Sequence, residues 1–255
     1  MFKPKEILAE FLGAFVLVFV VASAGIVAGA GGGVVGTALA GGLTLAVITY
    51  IFGKVSGGQA NPAVTFAMAL NGRLSWLDAL QYWLAQFLGS ILAAFLLDYV
   101  LKSLGATLDG GASIGALTSP SVALSPTYIQ TFMMAMLFEA ILTFVLVATY
   151  MQSVMSSKGE GVGGLVYGLA YAAALLTGGI FTGASLNPAR TVGVAIFTSP
   201  DTALGLSSPF LYVVYVVGPL LGATLAVLAY NYFNGIMDIE DDEEVEETEE
   251  KPAEA

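Results

Sequence analysis

Two short stretches carry polar groups through an otherwise apolar chain, and they carry them in the same order. Ser56-Gly57-Gly58-Gln59-Ala60-Asn61-Pro62-Ala63-Val64-Thr65 returns as Thr182-Gly183-Ala184-Ser185-Leu186-Asn187-Pro188-Ala189-Arg190-Thr191, Asn187 following Asn61 by 187 − 61 = 126 positions. In each, a glycine-bearing loop ends at Asn, a strong N-cap, and Pro follows where its missing N–H is one that a helix start leaves unpaired anyway. Each stretch therefore reads as a helix N-terminus. The chemistry on offer is hydrogen bonding from the two carboxamides and the partial positive charge of a helix end. Bond-making chemistry is poorly provided for. The chain has no histidine and no cysteine, which excludes Ser/His and Cys/His catalysis and the usual imidazole or thiolate metal sites. No enzyme activity, cofactor or metal is expected.

The elements that position these caps are membrane spans. With 57% hydrophobic residues, 11% charged residues and a mean hydropathy of +0.84, the chain is too apolar for an ordinary soluble domain. Spans are expected at about 7–30, 34–52, 76–101, 128–151, 163–180 and 209–233, each long enough to cross. The helices opened by the two caps, about 62–70 and 188–197, are roughly two and a half turns, far short of the ~30 Å hydrocarbon core. They are half-spans. A Gly-, Ser- and Pro-rich stretch, 103–127, reads as a long external connection between two halves. Six spans place both termini on one side. Lys3, Lys5, Lys54, Arg73 and Lys158 fall on that side and only Lys102 opposite, so the termini are expected in the cytoplasm. The net charge of −11 comes from the end of the chain, where eleven acids from Asp238 onward face Lys251 alone. That composition predicts a disordered acidic tail over 238–255 behind a near-neutral channel domain over 1–237, with no nucleic-acid partner.

The halves also match outside the loops, since Glu10 and the Phe15-Val16-Leu17-Val18 that follows recur as Glu139 and Phe144-Val145-Leu146-Val147. The chain is an internal duplication, repeat one about 5–102 and repeat two about 128–233. With three spans per copy, an odd number, the second copy must lie upside down relative to the first. The half-helices then enter from opposite faces and point their positive ends at mid-membrane. A cation is repelled there, whereas a neutral solute that accepts hydrogen bonds from Asn61 and Asn187 is not. The carbonyls of 57–60 and 183–186 cannot be helical and are expected to line a pathway as acceptors. Glu10 and Glu139 read either as a proton relay or as a scaffold for the neighbouring loops.

The two Asn-Pro-Ala stretches, the paired glutamates, the terminal Arg190 and the three-plus-three layout closely resemble the aquaporin and aquaglyceroporin (major intrinsic protein) family, over about residues 5–233. The resemblance implies an all-α membrane protein of six transmembrane helices and two half-helices in two inverted repeats, assembled in the cell membrane as homotetramers with one pore per protomer. It implies that Asn61, Pro62, Ala63, Asn187, Pro188 and Ala189 form the pore centre. It assigns Glu10 and Glu139 to accepting N–H groups of the adjacent loops. The external constriction falls on Gly41, Leu175, Ala184 and Arg190, with Arg190 as its one charged donor.

The departures from the family bear on the solute. A water-selective member has Phe at position 41 and His at 175, so Gly41 and Leu175 predict a wider and less polar opening, whereas Thr191 and Ala195 resemble the water-channel branch, and the usual loop His is Gln59. The expectation is a passive, pH-insensitive channel for water and small uncharged solutes such as glycerol or urea, excluding protons and ions. Strict water selectivity is the alternative, and an ion-coupled secondary transporter the alternative of another class. Gly164, Gly168, Gly218 and Gly222 read as close-packing positions, and Tyr82, Trp83, Tyr212 and Tyr232 as interface anchors.

Overall fold

The computed structural model describes residues 3–27, 33–106, 128–155, 161–197 and 213–249. The turn before the second span, most of the 103–127 connection, the loop bearing Lys158, the start of the sixth span, Tyr212 and residues 250–255 lie outside the described residues. Among those described there is no strand. The helices in chain order are α1 (Pro4–Val27), α2 (Gly33–Ser56), α3 (Pro62–Leu70), α4 (Trp76–Ser103), α5 (Tyr128–Ser153), α6 (Gly163–Gly178), α7 (Pro188–Ala195) and α8 (Gly218–Glu249). A π-helical segment, Val213–Val217, leads into α8.

Five of these elements are long and apolar enough to cross a bilayer, and the 16-residue α6 is a shorter apolar helix. It was expected to run to 180 and stops at Gly178, because the chain turns at once into the second polar loop, Phe181 and Thr182 both bonding back to the Gly178 carbonyl. α3 and α7 have 9 and 8 residues, about 13 and 12 Å of rise; only the two together approach the depth of a membrane. α7 ends at Ala195, two residues before the expected end. The π turn has a local cause: Pro219 would press its ring against the Tyr215 carbonyl four residues back in a regular helix, and the wider turn relieves that clash.

The last helix departs from expectation. α8 runs to Glu249, so the backbone of residues 238–249 is helical where the composition predicts disorder. Glutamate is a good helix former, and a helix continued from a membrane span needs no nucleus of its own.

The two halves use the same contacts. α1 packs against α2 and α4; α5 packs against α6 and α8; α2 and α6 meet across the halves. Close approach rests on glycine at equivalent places: Gly89 of α4 lies on the Phe11 carbonyl and Phe15 amide of α1, and Gly222 of α8 on the Ala140 carbonyl and Phe144 amide of α5. Gly168 meets Gly42 and Ala46 of α2 in the same manner, which bears out the close-packing reading. A side chain at any of these positions would push two spans apart.

Polarity is arranged inside out. Leu8, Leu43, Leu84, Leu169 and Leu225 point outward, more than half exposed, a face suited to hydrocarbon and not to water. Glu10, Thr65, Gln86, Glu139, Asn187 and Arg190 are buried in the centre. Tyr82 proves not to be an interface anchor: it is buried and donates to Glu6 Oε2 at 2.9 Å. Trp83 also turns inward, its indole N–H reaching the Pro62 carbonyl at 3.0 Å.

Candidate functional site

The Asn side chains do two things each. Asn61 Oδ1 accepts from the Ala63 amide at 2.9 Å, and Asn187 Oδ1 from the amides of Ala189 and Arg190 at 3.0 and 3.2 Å. With the oxygens so held, the amide nitrogens turn to the opposite half: Asn61 Nδ2 donates to the Leu186 carbonyl and Asn187 Nδ2 to the Ala60 carbonyl, both at 2.9 Å. The caps therefore clasp each other, and α3 and α7 meet at their N-termini. A carboxamide nitrogen has two hydrogens; one on each Asn is spoken for by the clasp, and the second can serve a passing oxygen.

The loops that present these caps are strained, and a carboxylate holds each one. Ala60, Ala184 and Leu186 adopt φ of 48, 43 and 54°, left-handed conformations that cost about 1–3 kcal/mol each in a residue with a side chain. Glu10 Oε1 accepts from Ser56 Oγ (2.6 Å) and the Gln59 amide (2.9 Å), and its Oε2 from the Ala60 amide and Gln86 Nε2, both at 2.7 Å. Glu139 repeats this with Thr182 Oγ1 (2.7 Å), the Ser185 amide (3.0 Å) and the Leu186 amide (2.7 Å). These bonds hold the loop N–H groups on the glutamates, while the Ala60 and Leu186 carbonyls point to the Asn side chains of the opposite half. The hydroxyls past each cap follow the same symmetry, Thr65 Oγ1 on Gln59 Oε1 at 2.6 Å and Thr191 Oγ1 on Ser185 Oγ at 2.5 Å.

Several of the carbonyls expected to line a pathway already hold protein donors. Besides Ala60 and Leu186, the Gly57 carbonyl accepts from Tyr150 at 2.9 Å; just ahead of the second set, the Thr182 carbonyl accepts from Tyr215. Arg190 Nη1 reaches the Gly183 and Ala184 carbonyls at 3.3 and 3.0 Å. Each carbonyl oxygen keeps a second lone pair, so acceptor capacity remains but is halved.

Arg190 and Leu175 share the wall of a cavity of about 60 Å³, together with Gly25, Val34, Thr37, Gly179 and Gly183. A single water needs roughly 10–15 Å³ by this measure, so the chamber holds more than one. Ala184 lies behind it, buried, with its carbonyl on Arg190. Gly41 behaves differently from the sequence expectation. A Cβ there would sit 2.6 Å from Leu175 Cδ1, 3.2 Å from Tyr171 Cε1 and 3.3 Å from Val21 Cγ2. The room left by the missing side chain is occupied by its neighbours.

Residues that the sequence reading passed over take part. Gln86 braces Glu10 and also donates to Thr65 Oγ1 at 2.8 Å; an amide in the middle of an apolar span was the available signal. Tyr171 lies one helical turn before Leu175 on the same face of α6.

Known proteins resemble this chain over most of its length. The model of the family described as Major intrinsic protein matches residues 2–230. Glycerol uptake facilitator protein-like 6 from Lactiplantibacillus plantarum is 36% identical over 225 residues, covering 87% of this chain and 94% of that protein. Aquaporin Z from Brucella melitensis biotype 1 is 37% identical over 231 residues, 89% of this chain and 96% of its own length. The X-ray structure of the aquaglyceroporin from Plasmodium falciparum shares the fold with a TM-score of 0.70 at 23% identity, over 90% of this chain and 96% of the other. A family match across nearly the whole helical body, on a scaffold of inverted repeats clasped through paired Asn caps, leaves one conclusion: this chain belongs to the major intrinsic protein family, and it is a multi-pass membrane channel and not an enzyme.

Proposed function

We propose that the channel passes water and small uncharged solutes, glycerol-like polyols and urea among them, passively and without protons or ions. The observation that carries this reading is the Asn61–Asn187 clasp. It brings two helix N-termini, each worth about half a positive charge, to one place and leaves one donor on each side chain. A cation meets that field after losing its water, at a cost of several kcal/mol; a neutral solute meets donors and half-free carbonyls. Arg190, buried against Gly183 and Ala184, adds a fixed cation at the external constriction formed with Gly41, Leu175 and Ala184. Leu175 gives that constriction an apolar wall facing one strong donor, which suits the carbon face and hydroxyls of a polyol. The names of the relatives, an aquaporin and a glycerol facilitator, support both ends of the solute range.

Glu10 and Glu139 serve as loop scaffold in this reading, and Pro62, Ala63, Pro188 and Ala189 as the first turns of the half-helices. Residues 1–237 make up the channel domain, with repeats at about 5–102 and 128–233 and the acidic segment 238–255 outside it. The protein sits in the cell membrane with both termini cytoplasmic and assembles as a homotetramer.

Strict water selectivity is the second reading, favoured by the closure of Leu175 and Tyr171 over Gly41. Light scattering from proteoliposomes shrunk first in an impermeant osmolyte and then in glycerol separates the two. Re-swelling in glycerol above empty liposomes supports the broader range; its absence, with water flux intact, supports the second. Solute uptake that collapsed an imposed pH gradient in step would replace both with an ion-coupled transporter.

A further inference from the structure

A buried hydroxyl without a partner costs about 1–3 kcal/mol, so one that persists in a native interior points to a water or ligand bound there. Tyr167 and Tyr171 are two such groups: both are buried, neither hydroxyl completes a protein hydrogen bond, and neither has surface open to water in this conformation, so a molecule that meets them must part the side chains around them. They lie four residues apart on α6, and Leu175, which lines the chamber beside Arg190, is four residues further, so the three share one face. Another face of α6, with Gly164 and Gly168, is pressed against α2. The tyrosines project between the two polar loops. The Tyr167 ring packs edge-on to that of Tyr150 at 5.0 Å, and Tyr150 holds the Gly57 carbonyl of the first loop. The Tyr171 ring borders Gly41, and its hydroxyl faces the Arg190 guanidinium of the second loop at the edge of hydrogen-bond reach.

We propose that Tyr167 and Tyr171 form a hydroxyl rail along the pathway, and that Tyr171 is a further specificity-determining residue, completing the constriction with Gly41, Leu175, Ala184 and Arg190. This rests on the channel reading above. The Tyr171 ring takes up room that Gly41 leaves, setting the width, and its hydroxyl accepts from and donates to the water or solute hydroxyl passing Arg190. Tyr167, one turn or about 5–6 Å along, takes the same molecule next. The wall opposite the half-helix donors is thereby polar even though Leu175 is not.

The test compares wild type, Tyr171→Phe, Tyr167→Phe and Tyr171→Val in proteoliposomes, reading water and glycerol permeability together with the melting temperature in detergent. Tyr171→Phe, which keeps the ring, is expected to lower water permeability about two- to tenfold, the loss of one hydrogen bond in the pathway, with no gain in glycerol. Tyr171→Val is expected to raise the glycerol-to-water ratio. A structural role alone would shift melting and leave that ratio alone. Unchanged permeabilities in all three variants would overturn the proposal. A wild type that passed neither solute would instead remove the channel reading and take the specificity claim with it. The rail itself is then decided by an experimental structure resolving ordered water: water on both hydroxyls supports it, and hydroxyls bonded only to protein overturn it.

Discussion

Adding one methyl group at Gly41 is the sharpest perturbation this site offers. In Gly41→Ala the new Cβ falls 2.6 Å from Leu175 Cδ1 and 3.2 Å from Tyr171 Cε1, whereas carbon atoms rest at about 3.5–4.0 Å. Leu175 must withdraw by about 1 Å, and the far end of its side chain is free to do so. The space open to it is the chamber of about 60 Å³ that it already lines with Arg190, so the methyl narrows the pathway without touching a polar group. Overpacking of this kind costs about 1–3 kcal/mol of stability, a modest drop in melting temperature. If the encroachment adds even ~1.4 kcal/mol to the barrier for a three-carbon polyol, its flux falls tenfold. Water, being narrower, should lose much less. Stopped-flow light scattering with glycerol and with sucrose gives both permeabilities from one preparation. Glycerol permeability equal to or above that of wild type, in a variant whose water flux is normal, would refute the claim that Leu175 and Tyr171 close over Gly41.

Other outcomes follow from the same geometry. Arg190→Val should raise proton conductance measured with a pH dye in vesicles; if wild type and variant leak equally and little, the clasped helix ends suffice as the barrier. Glu139→Ala strands the Ser185 and Leu186 amides and the Thr182 hydroxyl, at about 1–3 kcal/mol for each buried group, and should melt far below wild type in detergent, with Glu139→Gln in between. Asn187→Ala removes both a cap, worth about 0.5–2 kcal/mol, and half of the clasp, so stability and glycerol flux should fall together. Water flux should be flat from pH 5.5 to 8, since the chain has no histidine. Lys3 does not alter this: Glu6 and then Asp78 hold its amine above the ordinary 10.5, so its contribution is whole below that value and is lost only as the pH rises through the raised one.

Much of the protein was legible in the sequence because the membrane permits few solutions. Backbone polar groups in hydrocarbon must be satisfied locally, so long apolar runs can only be helices, and α3 begins and ends where the Asn-Pro cap and the Asn71-Gly72 turn predict. The repeat made Asn61 equivalent to Asn187 and Glu10 to Glu139, and two half-helices entering from opposite faces bring their caps together. Periodicity could not reach what depends on neighbours from distant parts of the chain. Gly41 looked like an opening and is covered, because a missing side chain makes space only if nothing else enters it, and what enters is set by the packing of α2 against α6. The loop carbonyls looked free and several are engaged, since Tyr150 reaches Gly57 from another helix and Arg190 folds back on Gly183 and Ala184. Nothing in the sequence marks Tyr167 and Tyr171 among the aromatics of an apolar span; only packing leaves their hydroxyls buried without partners. Residue identity determined which groups enter the membrane; only the three-dimensional packing decided which of them remain open to a passing solute.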